Sequence, residues 1–230
     1  EDLEDISSPP QISFLTLSGG GAKSMSYPGA YEALQDTGIM PDIRVIAGSS
    51  AGAITAAFMA TGISNEHFIK ISTESDPSKL LGRGIIPGVK ALKDGKPLYK
   101  FIRDNIRYNV KVFLDNFENP RSLMRASDRS LLNDLRLRAN SPDGKIFFKD
   151  LKLLVTLDPL RFKHLVVTAV EVDHGGKIMA SGELKTFSSI ETPDVEIALA
   201  CKASGAFPGV FAPVKIGDKY YFDGGWRDNT

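Results

Sequence analysis

One cysteine, Cys201, stands among 230 residues, so no internal disulfide framework can form and the chain fits a reducing compartment. Long hydrophobic runs are missing too. No apolar stretch reaches the roughly 18–20 residues that cross a bilayer, so a soluble chain without a transmembrane segment is expected. Neither sign of charge is in excess, because 28 Lys plus Arg balance 28 Asp plus Glu. That balance excludes a general polyanion binder, and with it nucleic acid as the expected partner, while leaving a local basic patch open. The N-terminus, Glu1 to Asp5, is acidic where a signal peptide would be basic and then apolar. Histidine is scarce, with only His67, His164 and His174. There is no internal repeat and no low-complexity tract. No metal site and no organic cofactor are expected.

What is present is an ordinary globular balance, 42% apolar and 24% charged, in a chain long enough for one substantial core. Residues 1–11 read as a tail leading into a single domain over 12–230. Ile12 to Leu17 alternates like a strand and runs into the glycine turn Ser18-Gly19-Gly20-Gly21-Ala22-Lys23-Ser24. A helix is expected over 27–37, ended by Gly38. Arg44 to Ala47 reads as a short buried strand, Gly48-Ser49-Ser50-Ala51-Gly52 as a turn, and Ala53 to about Thr61 as a helix. This repeated strand, turn and helix predicts an α/β fold with a parallel sheet.

Further along, 64–75 reads as helix and 77–97 as an irregular loop. Helices are expected over 98–108 and 126–138, and a turn at Ser141-Pro142-Asp143-Gly144. Lys152 to Thr156 and Leu165 to Val172 read as strands, with Asp173-His174-Gly175-Gly176 as a hairpin turn into 177–181. Thr192-Pro193 suggests the start of a helix over 193–202. Tyr220-Tyr221-Phe222 is a last strand, ending in Asp223-Gly224-Gly225.

The chemistry gathers at three of these places. Gly48-Ser49-Ser50-Ala51-Gly52 fits G-x-S-x-G, in which a serine on a tight strand-to-helix turn needs small neighbours. The helix N-terminus that follows favours negative charge beside the serine. Ser49 competes as a hydroxyl but does not occupy the pattern's centre. The glycines at 19–21 are costly to order and make sense where backbone N–H groups approach a negative charge. A phosphate loop G-x-x-x-x-G-K-S would need glycine at Leu17 and Ala22, and a dinucleotide fingerprint would need it at Ser24. An oxyanion hole fits better. A tight turn without further role is the simpler alternative.

A serine hydroxyl needs a base. His67 lies in a polar helix, His164 at a strand start beside Lys163, and His174 in a turn; nothing local orients any of them. In an α/β-hydrolase the histidine comes last in the chain, and here none follows 174. Asp223 is the better candidate, at the end of an apolar strand with two glycines behind it. The alternative is Asp-Gly-Gly as a plain hairpin turn.

Together these segments resemble the patatin-like phospholipase family. Its glycine-rich loop, G-x-S-x-G turn and D-G-[AG] motif stand in order as 18–23, 48–52 and 223–225. Ala203-Ser204-Gly205-Ala206-Phe207-Pro208 with Phe211-Ala212-Pro213 is similar to a fourth family signature. The resemblance spans 12–229 and implies a three-layer fold, a mostly parallel central sheet with helices on both faces. It implies a lipid acyl hydrolase, of phospholipase A or lysophospholipase type, using a Ser50–Asp223 dyad and an acyl-enzyme. Gly19, Gly20 and Gly21 would form the oxyanion hole, with Gly48, Gly52, Gly224 and Gly225 completing the motifs. Lys23 and Ser24 would bind substrate, with Lys23 adding positive charge for a lipid phosphate or the oxyanion. The wording of 18–30 is similar to bacterial secreted effectors of the family, which implies delivery into host cytoplasm, membrane phospholipid as substrate and a host protein as activator.

This chain departs from the family pattern at Ser18 and Ser24, where Asp and Gly are frequent. It also stops at Asn229-Thr230, where the family continues, so a C-terminal continuation is expected. Three rivals stay open: an esterase or thioesterase with a histidine triad, a silent membrane- or protein-binding module on the same fold, and a nucleotide binder. Apolar and basic residues mix in 81–97, which suits either bilayer contact or a cap over the cleft.

Overall fold

The computed structural model describes residues 12–80, 82, 93–118, 124–172 and 182–226, without the side chains of Ala22, Lys23, Pro77 and Trp226. The strands are β1 (Phe14–Leu17), β2 (Val45–Ser49), β3 (His164–Val172), β4 (Glu183–Ser188), β5 (Val214–Ile216) and β6 (Lys219–Asp223). The helices are α1 (Tyr27–Asp36), α2 (Ala51–Ala60), α3 (Asn65–Glu74), α4 (Pro77–Leu80), α5 (Lys96–Asn116), α6 (Ala126–Asn140), α7 (Phe148–Leu157) and α8 (Ile197–Ser204). Short 3₁₀ turns follow β1 at Gly21–Ser26 and β6 at Gly224–Trp226.

β1, β2 and β3 pair in parallel, whereas β4 and β6 run antiparallel to β3 and β5 antiparallel to β6. Four strands, β1, β2, β3 and β5, therefore run the same way, in the mostly parallel α/β sheet expected. The register then decides where the chemistry falls. β4 covers one edge of β3 from Val166 to Glu171. The other edge is shared end to end: β2 reaches Thr168 through Ser49, and β6 reaches Ala169 through Asp223. β2 and β6 run towards each other along this edge, so their C-terminal ends meet. Residues 50 and 223 become neighbours for that reason alone.

α2 is apolar all round and buried from Thr55 to Ala60, as a helix at the centre of a domain must be. It packs on β1, β2 and β3, and α8 and α5 pack on it in turn. Ile46, Phe58, Ile106, Leu151, Phe162 and Val167 belong to one continuous core. Burying each such side chain contributes about 1.5–3 kcal/mol.

α1 takes Pro28 in its first turn and ends at Gly38, whose φ of +71° is left-handed and suits glycine. α3 is capped by Ser64, whose hydroxyl accepts from the His67 N–H at 3.2 Å.

Four expectations need correction. The loop expected over 77–97 opens with the short helix α4, Pro77 taking its first position. Lys152 to Thr156 lies in α7 and is not a strand: Phe148, Leu151 and Leu154 are buried at helical spacing, and Asp150 accepts from the Phe147 N–H at 2.8 Å to close the first turn. The helix expected over 193–202 begins only at Ile197, because Thr192 and Pro193 form a turn tied to Ser188. The helix expected over 98–108 runs from Lys96 to Asn116, a length its periodic burial of Ile102, Ile106, Val110 and Phe113 accounts for. The hairpin turn at 173–176 and the strand at 177–181 lie outside the described residues. β4 starts later, at Glu183. Most of the 81–97 segment is likewise outside them.

Candidate active site

Ser50 sits between β2 and α2 with φ +53° and ψ −126°, the one positive-φ residue other than glycine among those described. For a residue with a Cβ this costs of order 1–3 kcal/mol, a strain typical of functional turns. The flanking glycines make the turn fit. A Cβ at Gly48 would stand 2.5 Å from the Gly52 carbonyl oxygen, and one at Gly52 would stand 2.1 Å from that of Leu17. Ser49 is fully buried and does not line the neighbouring cavity, whereas Ser50 does.

The Ser50 hydroxyl donates to Asp223 Oδ2 at 2.6 Å. Asp223 is 2% exposed, and its other oxygen accepts the Gly225 N–H at 2.8 Å. Its own N–H bonds the Ala206 carbonyl at 3.1 Å. Burial lifts the Asp223 carboxyl above the usual carboxylate range, and the bonds from Ser50 and Gly225 oppose that lift. Among the described residues Asp223 makes no ion pair. Gly224 is required by packing, since a Cβ there would lie 2.5 Å from the Thr168 carbonyl oxygen.

Sequence reasoning missed how the turn is held. Ser204, fully buried at the end of α8, accepts the Ser50 backbone N–H at 2.8 Å. The only signal was its place in the 203–213 stretch, which no local pattern connects to residue 50.

The glycine loop closes the other side. Gly21, with φ +54°, opens the 3₁₀ turn after β1, and Gly21, Ser24 and Met25 line the same cavity as Ser50. The Ser24 hydroxyl is turned back, donating to the Gly21 carbonyl at 2.7 Å. Ser24 therefore braces the loop at the site's edge. Tyr27 donates to the Ser18 carbonyl at 2.7 Å from behind. Gly19 and Gly20 connect β1 to this turn. Lys23 is in the turn, but its side chain lies outside the described residues.

The cavity, about 260 Å³, is walled by α2, α3, α5 and the Gly205–Phe211 loop and is mainly apolar. Among the described residues no histidine lines it. His164 pairs with Val45 at the far end of β2, about 13 Å from Ser49 at 3.3 Å per residue. His67 bonds Asn105 at 2.8 Å and lies against Tyr108, an orienting contact that the sequence did not suggest. His174 is outside the described residues. Cys201 is no rival nucleophile: it is fully buried, and burial pushes its thiol pKa up. Among the described residues no group of three or more His, Cys, Asp or Glu could hold a metal, and no helix is long and apolar enough to cross a membrane.

Fold and geometry thus define an α/β protein with a serine on a strained strand-to-helix turn, bonded directly to a buried carboxylate. The family described as patatin-like phospholipase matches residues 15–230, and the chain belongs to that family. It is 30% identical to the uncharacterized protein YqhO of Bacillus subtilis (strain 168), over 69% of this chain and 62% of that protein. Its fold is similar to that of VipD from Legionella pneumophila, with a TM-score of 0.81 at 24% identity over 97% of this chain and 47% of VipD. It is also similar to full-length ExoU in complex with SpcU, from the type III secretion system of Pseudomonas aeruginosa. There the TM-score is 0.67 at 31% identity, over 87% of this chain and 39% of that one. The chain thus spans less than two thirds of each of these proteins.

Proposed function

We propose that this chain is a lipid acyl hydrolase that cleaves carboxylic esters of membrane phospholipids, phospholipase A or lysophospholipase in type, with Ser50 as nucleophile and Asp223 as base. The observation that carries the reading is the 2.6 Å bond from the Ser50 hydroxyl to a buried carboxylate, without an ion pair among the described residues, at an apolar cavity. Family membership supports the lipid ester, and the raised proton affinity of Asp223 supports its role as base.

In this mechanism Asp223 Oδ2 takes the Ser50 proton as Oγ attacks the ester carbonyl carbon. The tetrahedral oxyanion forms beside the backbone N–H groups of Gly19, Gly20 and Gly21, the proposed oxyanion hole. Its collapse breaks the bond from carbon to the alcohol oxygen, and Asp223 returns the proton to the leaving lysolipid alcohol. Water then repeats the sequence on the acyl-enzyme, releasing fatty acid and restoring Ser50 and Asp223. Lys23, on the glycine turn, would meet the lipid phosphate.

The effector reading belongs to the same proposal: secretion by a bacterium, action at host membranes and activation by a host protein. It draws support from ExoU, a type III effector protein that is 28% identical over 88% of this chain. Fatty-acid release from mixed phospholipid vesicles, with and without eukaryotic cell lysate, tests it. Release that Ser50→Ala abolishes is expected, and dependence on lysate supports the activator. Release that survives Ser50→Ala contradicts the mechanism.

A further inference from the structure

The cavity beside Ser50 has a mouth and a floor. Along α2 it is lined by Ala51, Ile54, Thr55 and Phe58, the i, i+3, i+4, i+7 face of one helix. Exposure marks the two ends. At the mouth Met25 is 54% exposed, while Phe58 and Phe68 are 3% and 4% exposed. Phe58 meets Phe68 at 6.3 Å and Phe101 at 5.9 Å between ring centres, both edge to face. These three rings come from α2, α3 and α5 and close the inner end.

From Ser50 to Phe58 is eight residues of helix, about 12 Å at 1.5 Å each. An extended chain advances about 1.2 Å per bond, since a three-bond residue spans 3.3–3.6 Å. The length therefore suits about ten carbons.

Resting on the hydrolase reading above, we infer that the α2 face is an acyl-chain site measuring about ten carbons from the reacting carbonyl, and that Phe58, Phe68 and Phe101 set that length. A chain shorter than the cavity leaves apolar wall uncovered. Each methylene added up to the floor buries more surface and raises kcat/KM about fourfold. Beyond the floor, further methylenes add nothing inside the protein.

The test is kcat/KM for a series of monomeric p-nitrophenyl esters with acyl chains of 2–16 carbons. The expected plot of its logarithm rises and then breaks at about ten carbons, as the helix rise requires. Phe101→Ala should move the break about two carbons longer, because a deleted ring leaves space at the floor. Ile54→Phe, which fills the cavity nearer Ser50, should move it shorter without disturbing the floor. Binding of free fatty acids of the same lengths to Ser50→Ala, by calorimetry, should show the same break without any turnover. Hydrolysis with no break, or with a break that neither variant moves, overturns the inference and leaves the hydrolase reading standing. Absence of hydrolysis with every ester counts against the hydrolase reading, and the calorimetric series then decides the acyl site alone.

Discussion

Two of the described aspartates are buried, and they are treated oppositely. Asp150, with no exposed surface, is gripped by Arg138 through two bonds of 2.6 and 2.8 Å and by the Phe147 N–H. Its charge is neutralised where it stands, and it ties α6 to the start of α7. Asp223, 2% exposed, has among the described residues only the Ser50 hydroxyl and the Gly225 N–H as partners of its carboxylate. With no cation on it among the described residues, its hydrogen bonds leave the cost of burial uncovered, and burial raises this carboxyl's affinity for protons. A neutralised carboxylate holds structure together. One left short of compensation is ready to take a proton.

The sharpest way to break this contrast is to remove the proton acceptor. Asp223→Asn and Ser50→Ala should each reduce turnover by at least about 10³-fold, measured as fatty-acid release, with circular dichroism unchanged. For the wild type, kcat/KM should rise with pH through one step above the ordinary aspartate value and show no step near 6.5, the region of an ordinary histidine.

The opposite site should lose stability and keep its chemistry. Arg138→Met leaves Asp150 buried without its cation and should cost about 3–5 kcal/mol in a denaturant titration. Activity per folded molecule should stay near the wild-type level.

Smaller effects separate support from chemistry. Ser204→Ala strips the Ser50 N–H of its partner and should cost about 1–3 kcal/mol, with kcat falling more than KM rises. Smaller still is the stability of Asp223→Asn. A carboxyl whose folded pKa is raised favours the protonated form, so its relative stability is fully present below the unfolded pKa. It is lost as pH rises through the folded pKa. Thermal melts should therefore show Asp223→Asn more stable than wild type at pH 7, with the difference shrinking towards pH 4.

The sequence showed the parts of the site more clearly than their assembly. Gly48, Ser50 and Gly52 were readable because a positive-φ serine and two backbone crossings admit no other small-residue pattern. Asp223 was readable as the end of an apolar strand. Their contact was not, since it depends on β2 and β6 sharing one edge of β3, a pairing over more than 170 residues of sequence that no local periodicity encodes. Ser204 was hidden for the same reason. The errors at Lys152 to Thr156 and at Thr192-Pro193 were local. A short apolar run does not separate strand from helix, and a proline after threonine suits a turn as well as a helix start.

The central claim is that Ser50 is activated by Asp223 without histidine, and covalent labelling tests it directly. A fluorophosphonate probe would be reacted with wild type, Asp223→Asn and the variant with His67, His164 and His174 all changed to Ala, followed by peptide mass mapping. The account predicts a single adduct on Ser50, formed at least about 10²-fold more slowly in Asp223→Asn and at an unchanged rate in the histidine variant. An adduct on another residue, or labelling lost with the histidines, would contradict it.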